Sequence, residues 1–105
     1  MKHLFLTLTF FVSYLAYSQN NSSLAENYFR EGEYKKASQL FETLEKNNPY
    51  NTRYLKRLIT CYQETNNYEK ASELLQKKLL NYPSQHYLRI EIGYNFDRQQ
   101  KTALA

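Results

Sequence analysis

Gly32-Glu33-Tyr34-Lys35-Lys36-Ala37-Ser38-Gln39-Leu40-Phe41 and Asn66-Asn67-Tyr68-Glu69-Lys70-Ala71-Ser72-Glu73-Leu74-Leu75 are two copies of one pattern, set 34 residues apart. Tyr, Lys, Ala, Ser and Leu recur at matching places. The offset extends outward: Tyr28 pairs with Tyr62, Leu24 with Leu58 and Pro49 with Pro83. It continues to a third copy, with Leu58 to Ile92, Tyr62 to Phe96 and Ala71 to Ala105. A fixed period in this range marks stacked units that cannot bury their apolar faces singly.

Each period divides into two helices. Ser23-x-x-Glu26 has capping-box spacing at the start of the first helix, and Gly32 is placed to end it. Leu24, Ala25, Tyr28 and Phe29 then share one side. A second helix carries Ala37, Leu40, Phe41 and Leu44 inward and stops before Pro49, which lacks a donor and disfavours helix in the residue before it. Asn51 is placed to cap the next helix, with Leu55, Leu58, Ile59 and Tyr62 inward. Thr65-Asn66-Asn67 makes a turn, since Asn tolerates a left-handed backbone. A helix with Ala71, Leu74 and Leu75 inward ends at Pro83. Ser84 then caps a helix over about 85–98, with Leu88, Ile92 and Phe96 inward, and a further turn is expected at Gln100.

This unit resembles the tetratricopeptide repeat. The first copy supplies Leu24, Ala25, Tyr28, Gly32, Ala37, Phe41 and Pro49; the second supplies Leu58, Ile59, Tyr62, Asn66, Ala71, Leu75 and Pro83. The third supplies Ile92, Gly93, Phe96 and Ala105. The resemblance implies an all-α solenoid of antiparallel helix pairs, divided as 19–51, 52–85 and an incomplete 86–105. It also implies a non-enzymatic scaffold that binds a peptide or protein on its concave face. The stop at Ala105, just inside a new helix, suggests the N-terminal portion of a longer repeat protein or a truncated frame. Two other roles stay open: the sensory segment of a longer signalling protein, and a repeat module of an enzyme whose catalytic domain lies elsewhere.

The N-terminal segment follows another logic. Lys2 is the one charged side chain before Glu26, and the apolar run Leu4–Ala16 leads to small residues at Ala16 and Ser18. A basic start, a short apolar stretch and a small-residue exit make a secretory signal peptide over 1–18. The run is too short for a permanent span, which takes about 20 apolar residues. The Tyr17-Ser18-Gln19 junction resembles those of Bacteroidetes-type exported proteins. Cleavage leaves 87 residues from Gln19, destined for the periplasm, the outer envelope or secretion, with no stable membrane span. A single cysteine, Cys61, suits export because it cannot mispair within its chain.

The net charge of +4 falls short of a nucleic-acid-binding arm. Two glycines exclude a phosphate loop, and one histidine with one cysteine in the mature chain offers no metal cluster, cofactor site or catalytic pair. Cys61 reads as a buried structural thiol and His86 as exposed. Glu31/Glu33 and Glu42/Glu45 read as solvated faces. What remains is a binding surface. The resemblance places Glu26, Phe29, Arg30, Arg53, Lys56, Thr60, Gln63, Tyr87, Ile90, Tyr94 and Asp97 on the concave side. Arg53, Lys56 and Arg57 stand at i, i+3 and i+4, with no acid within a turn on their own helix. They suit a carboxylate or an acidic peptide, with Tyr87 and Tyr94 as an apolar platform.

Overall fold

The computed structural model describes residues 21–104, so the expected signal peptide over 1–18, residues 19–20 and Ala105 lie outside the described residues. The described residues form helices joined by short turns: α1 over 21–30, α2 Tyr34–Asn47, α3 Thr52–Glu64, α4 Tyr68–Asn81 and α5 His86–Leu104. No strand occurs among them. Helix α2 packs on α3, α3 on α4 and α4 on α5. Neighbours in sequence are thus neighbours in space, as expected of a solenoid.

The two intra-repeat turns have one geometry. Gly32 takes φ +78° and Asn66 takes φ +61°. The Gly32 N–H bonds Phe29 O at 3.1 Å and the Glu33 N–H bonds Tyr28 O at 2.8 Å. Thirty-four residues on, Asn66 N–H bonds Gln63 O at 3.1 Å and Asn67 N–H bonds Tyr62 O at 2.7 Å. This paired pattern satisfies carbonyls that the end of a helix leaves open. Asn51 caps α3 by accepting from the Tyr54 N–H at 3.2 Å.

One core runs through the repeats. Ala25, Ala37, Phe41, Cys61, Ala71 and Leu75 have no exposed surface, and Leu55, Leu58, Ile59, Tyr62 and Leu88 join them. Tyr68 is buried, while Tyr28 and Tyr34 are half-buried against the core, so the recurring tyrosines are packing residues. The buried Tyr62 donates its hydroxyl to Glu42 Oε1 at 2.8 Å, which gives its polar tip a partner.

Several expectations are corrected. Helical geometry already holds at residue 21, so Ser23 and Glu26 lie inside α1 and not at its cap. Leu24 stays 40% exposed. Glu45 is buried and paired with Lys78, whose Nζ also donates to Pro49 O at 3.2 Å, so this carboxylate is no solvated face. Gln85, not Ser84, precedes α5 directly. Above all, no turn forms at Gln100: α5 runs unbroken to Leu104. A left-handed conformation costs most residues bearing Cβ about 1–2 kcal/mol; Gly32 has no Cβ and Asn is the side chain that best tolerates it, whereas Gln100 has neither advantage. Thr102 also holds the helical course, donating to Arg98 O at 3.0 Å while lying 2.9 Å from the Tyr68 hydroxyl. Without a turn and a second helix, Phe96 is left 61% exposed, whereas its counterpart Tyr62 is 7% exposed.

The turns and the small contact positions yield a prediction. At Gly32 a Cβ would meet nothing within 4 Å, so the cost of Gly32→Ala is one of dihedral strain alone. Urea denaturation should show a loss of about 1–2 kcal/mol for Gly32→Ala. Ala71→Leu, which overpacks a fully buried site, should lose about 1–3 kcal/mol.

Candidate functional site

Helix α3 carries its apolar stripe Leu55, Leu58, Ile59 and Tyr62 into the core, which turns Arg53 and Arg57 toward α1 and leaves Lys56 on the side of α5. The cations do not stand alone. Glu26 from α1 reaches between two of them: Arg53 Nε lies 3.2 Å from Glu26 Oε1, and Arg57 Nε lies 3.4 Å from Oε2. Arg57 also stacks on Phe29, its guanidinium carbon 4.2 Å from the ring centroid. Lys56 faces the other way, with Nζ 5.7 Å from the centroid of Tyr87 on α5. The Arg53 side chain keeps 66% of its surface exposed, against 34% for Arg57.

The result is an open groove of about 700 Å³ whose walls include Ser22, Glu26, Arg30, Arg53, Tyr54 and Arg57. One carboxylate faces Arg53 and Arg57, and Arg30 also lines the groove, so its walls carry more cations than acids. The fork of Arg53, being mostly in water, has donors to spare. Arg57 is the more enclosed of the two, held between Glu26 and the Phe29 ring.

Of the expected site residues, the structure brings Arg53 and Arg57 together through Glu26, and Lys56 together with Tyr87. Tyr94 stands two turns beyond Tyr87 and is 55% exposed. Burial first, and the Glu91 carboxylate second, raise the Tyr87 phenol pKa, so its ring stays neutral under a cation. Gln63 is corrected: it is 3% exposed and cannot face a ligand. Its amide donates to Asn95 Oδ1 at 3.2 Å, and Asn95 donates to Tyr68 O at 3.0 Å. Repeat position puts Glu26 on the concave side with Arg53, and that shared placement is the sequence signal that the two can meet. The spacing rule for α3 alone does not see it, because 27 residues separate them.

Among the described residues, no three His, Cys, Asp or Glu side chains come together as a metal-binding group. No described helix is long and apolar enough to cross a membrane. His86 is exposed. Cys61 is buried, and its pKa rises from 9.0 to about 12, chiefly through loss of hydration. The thiolate is the reactive form, so this thiol should be inert in the folded chain. Native protein at pH 8 should react with a thiol reagent only as fast as it opens, and urea-unfolded protein should react at once. The sign of the pH effect follows from the raised pKa. The preference for a neutral Cys61 is fully present below pH 9.0 and is lost progressively toward about 12, so melting temperature should fall across that window.

A tetratricopeptide-repeat family model matches residues 23–90, which takes in α1 through α4 and the start of α5. Neither a curated protein nor a solved structure matches the chain. Repeats of this family generally mediate protein–protein interaction and are typically non-catalytic. The match spans well over half of the chain, its period is the 34-residue period of the sequence, and α1 to α4 fall where that period puts them: the chain belongs to the tetratricopeptide-repeat family.

Proposed function

We propose that the protein is an exported, non-enzymatic scaffold that holds an acidic, extended peptide segment of a partner protein in the groove between α1 and α3. The observation that carries this reading is the positive excess around Arg53, Lys56 and Arg57 with a single interposed carboxylate, Glu26. Glu26 acts as an internal competitor. It orients the guanidinium groups in the free protein and yields Arg53, the more exposed of the two, to an incoming carboxylate. Tyr87, which meets Lys56, and the exposed Tyr94 offer apolar surface on α5 for side chains flanking the acidic residue. Export rests on the basic, apolar and small-residue succession of residues 1–18. It places the scaffold in the periplasm, at the outer envelope or outside the cell.

Fluorescence anisotropy with a labelled Glu-rich peptide tests the groove. Binding should weaken as salt rises. Arg53→Glu with Lys56→Glu should weaken it about tenfold or more with helicity unchanged. Glu26→Gln should tighten it by freeing both guanidinium groups. Equal affinity in all three proteins would remove the groove as the binding site. For export, mass spectrometry of the protein from envelope and medium fractions should find an N-terminus at Gln19; a chain retaining Met1 in the cytosol would overturn the assignment.

A further inference from the structure

The loops between repeats meet at one edge of the solenoid. Residues 48–51 join α2 to α3, and residues 82–85 join α4 to α5. Between them lies a cavity of about 70 Å³. Its apolar walls are Pro49, Leu55 and the rings of Tyr50, Tyr82 and Tyr87. Tyr50 and Tyr82 stand edge to face, with ring centroids 5.8 Å apart. Repetition does not account for these three rings. Tyr28 and Tyr62, like Tyr34 and Tyr68, recur at 34 residues as packing residues, whereas the counterparts of Tyr50, Tyr82 and Tyr87 are Ser84, Asn48 and Arg53. Tyr50 is 80% exposed, so the core does not require it. The cavity is also independent of the far end of the array, since no wall lies beyond Tyr87.

Size and charge select the guest. A water site takes about 10–15 Å³ and a benzene ring fills a cavity of about 150 Å³, so this cavity suits a branched aliphatic side chain and is small for an aromatic one. Lys78 forms part of the wall, but its ammonium is committed to Glu45 and to Pro49 O, the latter at 3.2 Å. An acidic guest would compete with a buried carboxylate, and a basic guest would meet the ammonium, so a neutral side chain is favoured. The cavity adjoins the basic surface on two sides. Asn51 walls both the cavity and the α1/α3 groove, and Thr52 walls both the cavity and the hollow beside Arg53, Lys56 and Arg57. Tyr87 presents its ring to the cavity and to Lys56 at once. We propose that this cavity is a specificity pocket, and that its occupant is a leucine- or valine-sized side chain of the same peptide segment whose acidic residue meets Arg53. The shared ligand rests on the α1/α3 groove being a peptide site; the pocket stands without it. The partner is then recognised by an acid and a branched aliphatic residue close together in its sequence, not by charge alone.

NMR amide shifts on the full chain, titrated with N-acetyl-leucinamide to tens of millimolar, test the pocket by itself. Shifts should concentrate at Asn51, Thr52, Leu55 and Tyr87, with weaker ones from N-acetyl-phenylalaninamide and none from N-acetyl-glycinamide. Tyr50→Ala removes an exposed wall without touching the core, and should weaken leucinamide binding about threefold or more. Arg53→Glu should leave it unchanged. Scattered shifts, or leucine and glycine probes that act alike, would overturn the pocket whatever the groove does. Fluorescence anisotropy then reads the link to the groove. In a labelled Glu-rich peptide, leucine placed in turn at each position flanking the acidic run should tighten binding about tenfold at one of them. Tyr50→Ala should cancel that gain, while Arg53→Glu should weaken the peptides with and without leucine alike. A Glu-rich peptide that binds but gains nothing from leucine at any position overturns the shared ligand and spares the groove. One that does not bind at all overturns the groove and the shared ligand together, with the pocket decided by its own titration.

Discussion

The closeness of packed helices is the constraint from which the rest of this fold follows. Ala37 and Ala71 have no exposed surface at all, and each lies on the second helix of its repeat, one turn after the left-handed turn. Alanine at these places lets the helices approach until Phe41 and Leu75 are fully enclosed. The turns at Gly32 and Asn66 aim each second helix into that contact, and their hydrogen bonds return to Tyr28 and Tyr62, the same tyrosines that fill the space between helices. Local backbone chemistry and long-range packing thus meet at the same few residues.

That packing also arranges the charges. Because α3 commits one stripe to the core, its cations can emerge only toward α1 and α5. Each cation meets a different companion there: a carboxylate for Arg53, a carboxylate and a phenyl ring for Arg57, a phenol for Lys56. The groove is therefore graded, from a held cation to a free one, and a ligand carboxylate competes with Glu26 most easily where solvent already reaches the guanidinium.

What the sequence made legible was everything governed by local rules. The period, the left-handed residues, the Asn51 cap, the stops before Pro49 and Pro83 and the buried alanines all depend on neighbours within a turn or on repetition. The misreadings share another cause. Ser23 and Glu26 have capping-box spacing, yet the same spacing occurs inside a helix, and only the start of α1 distinguishes the two. The pairing of Glu45 with Lys78, the burial of Gln63 on Asn95 and the reach of Glu26 to Arg53 each join residues on different helices, where no spacing rule applies. Gln100 shows the limit of periodicity itself: position predicts a turn, but a glutamine takes a left-handed backbone only at a cost, and α5 runs through. Phe96 is exposed for that reason and not for any property of its own.

The amide contact between Gln63 and Asn95 has a meaning for the array as a whole. One period earlier, the corresponding places hold Phe29 and Cys61, an apolar combination. The first junction between repeats is thus greasy at this point and the second is hydrogen-bonded. If the repeats were shuffled or one were duplicated, Phe29 would be set against Asn95, or Gln63 against Cys61, and a buried amide would lose its partner. The two junctions share a shape but differ in polarity at this point, so the order of the repeats is not neutral.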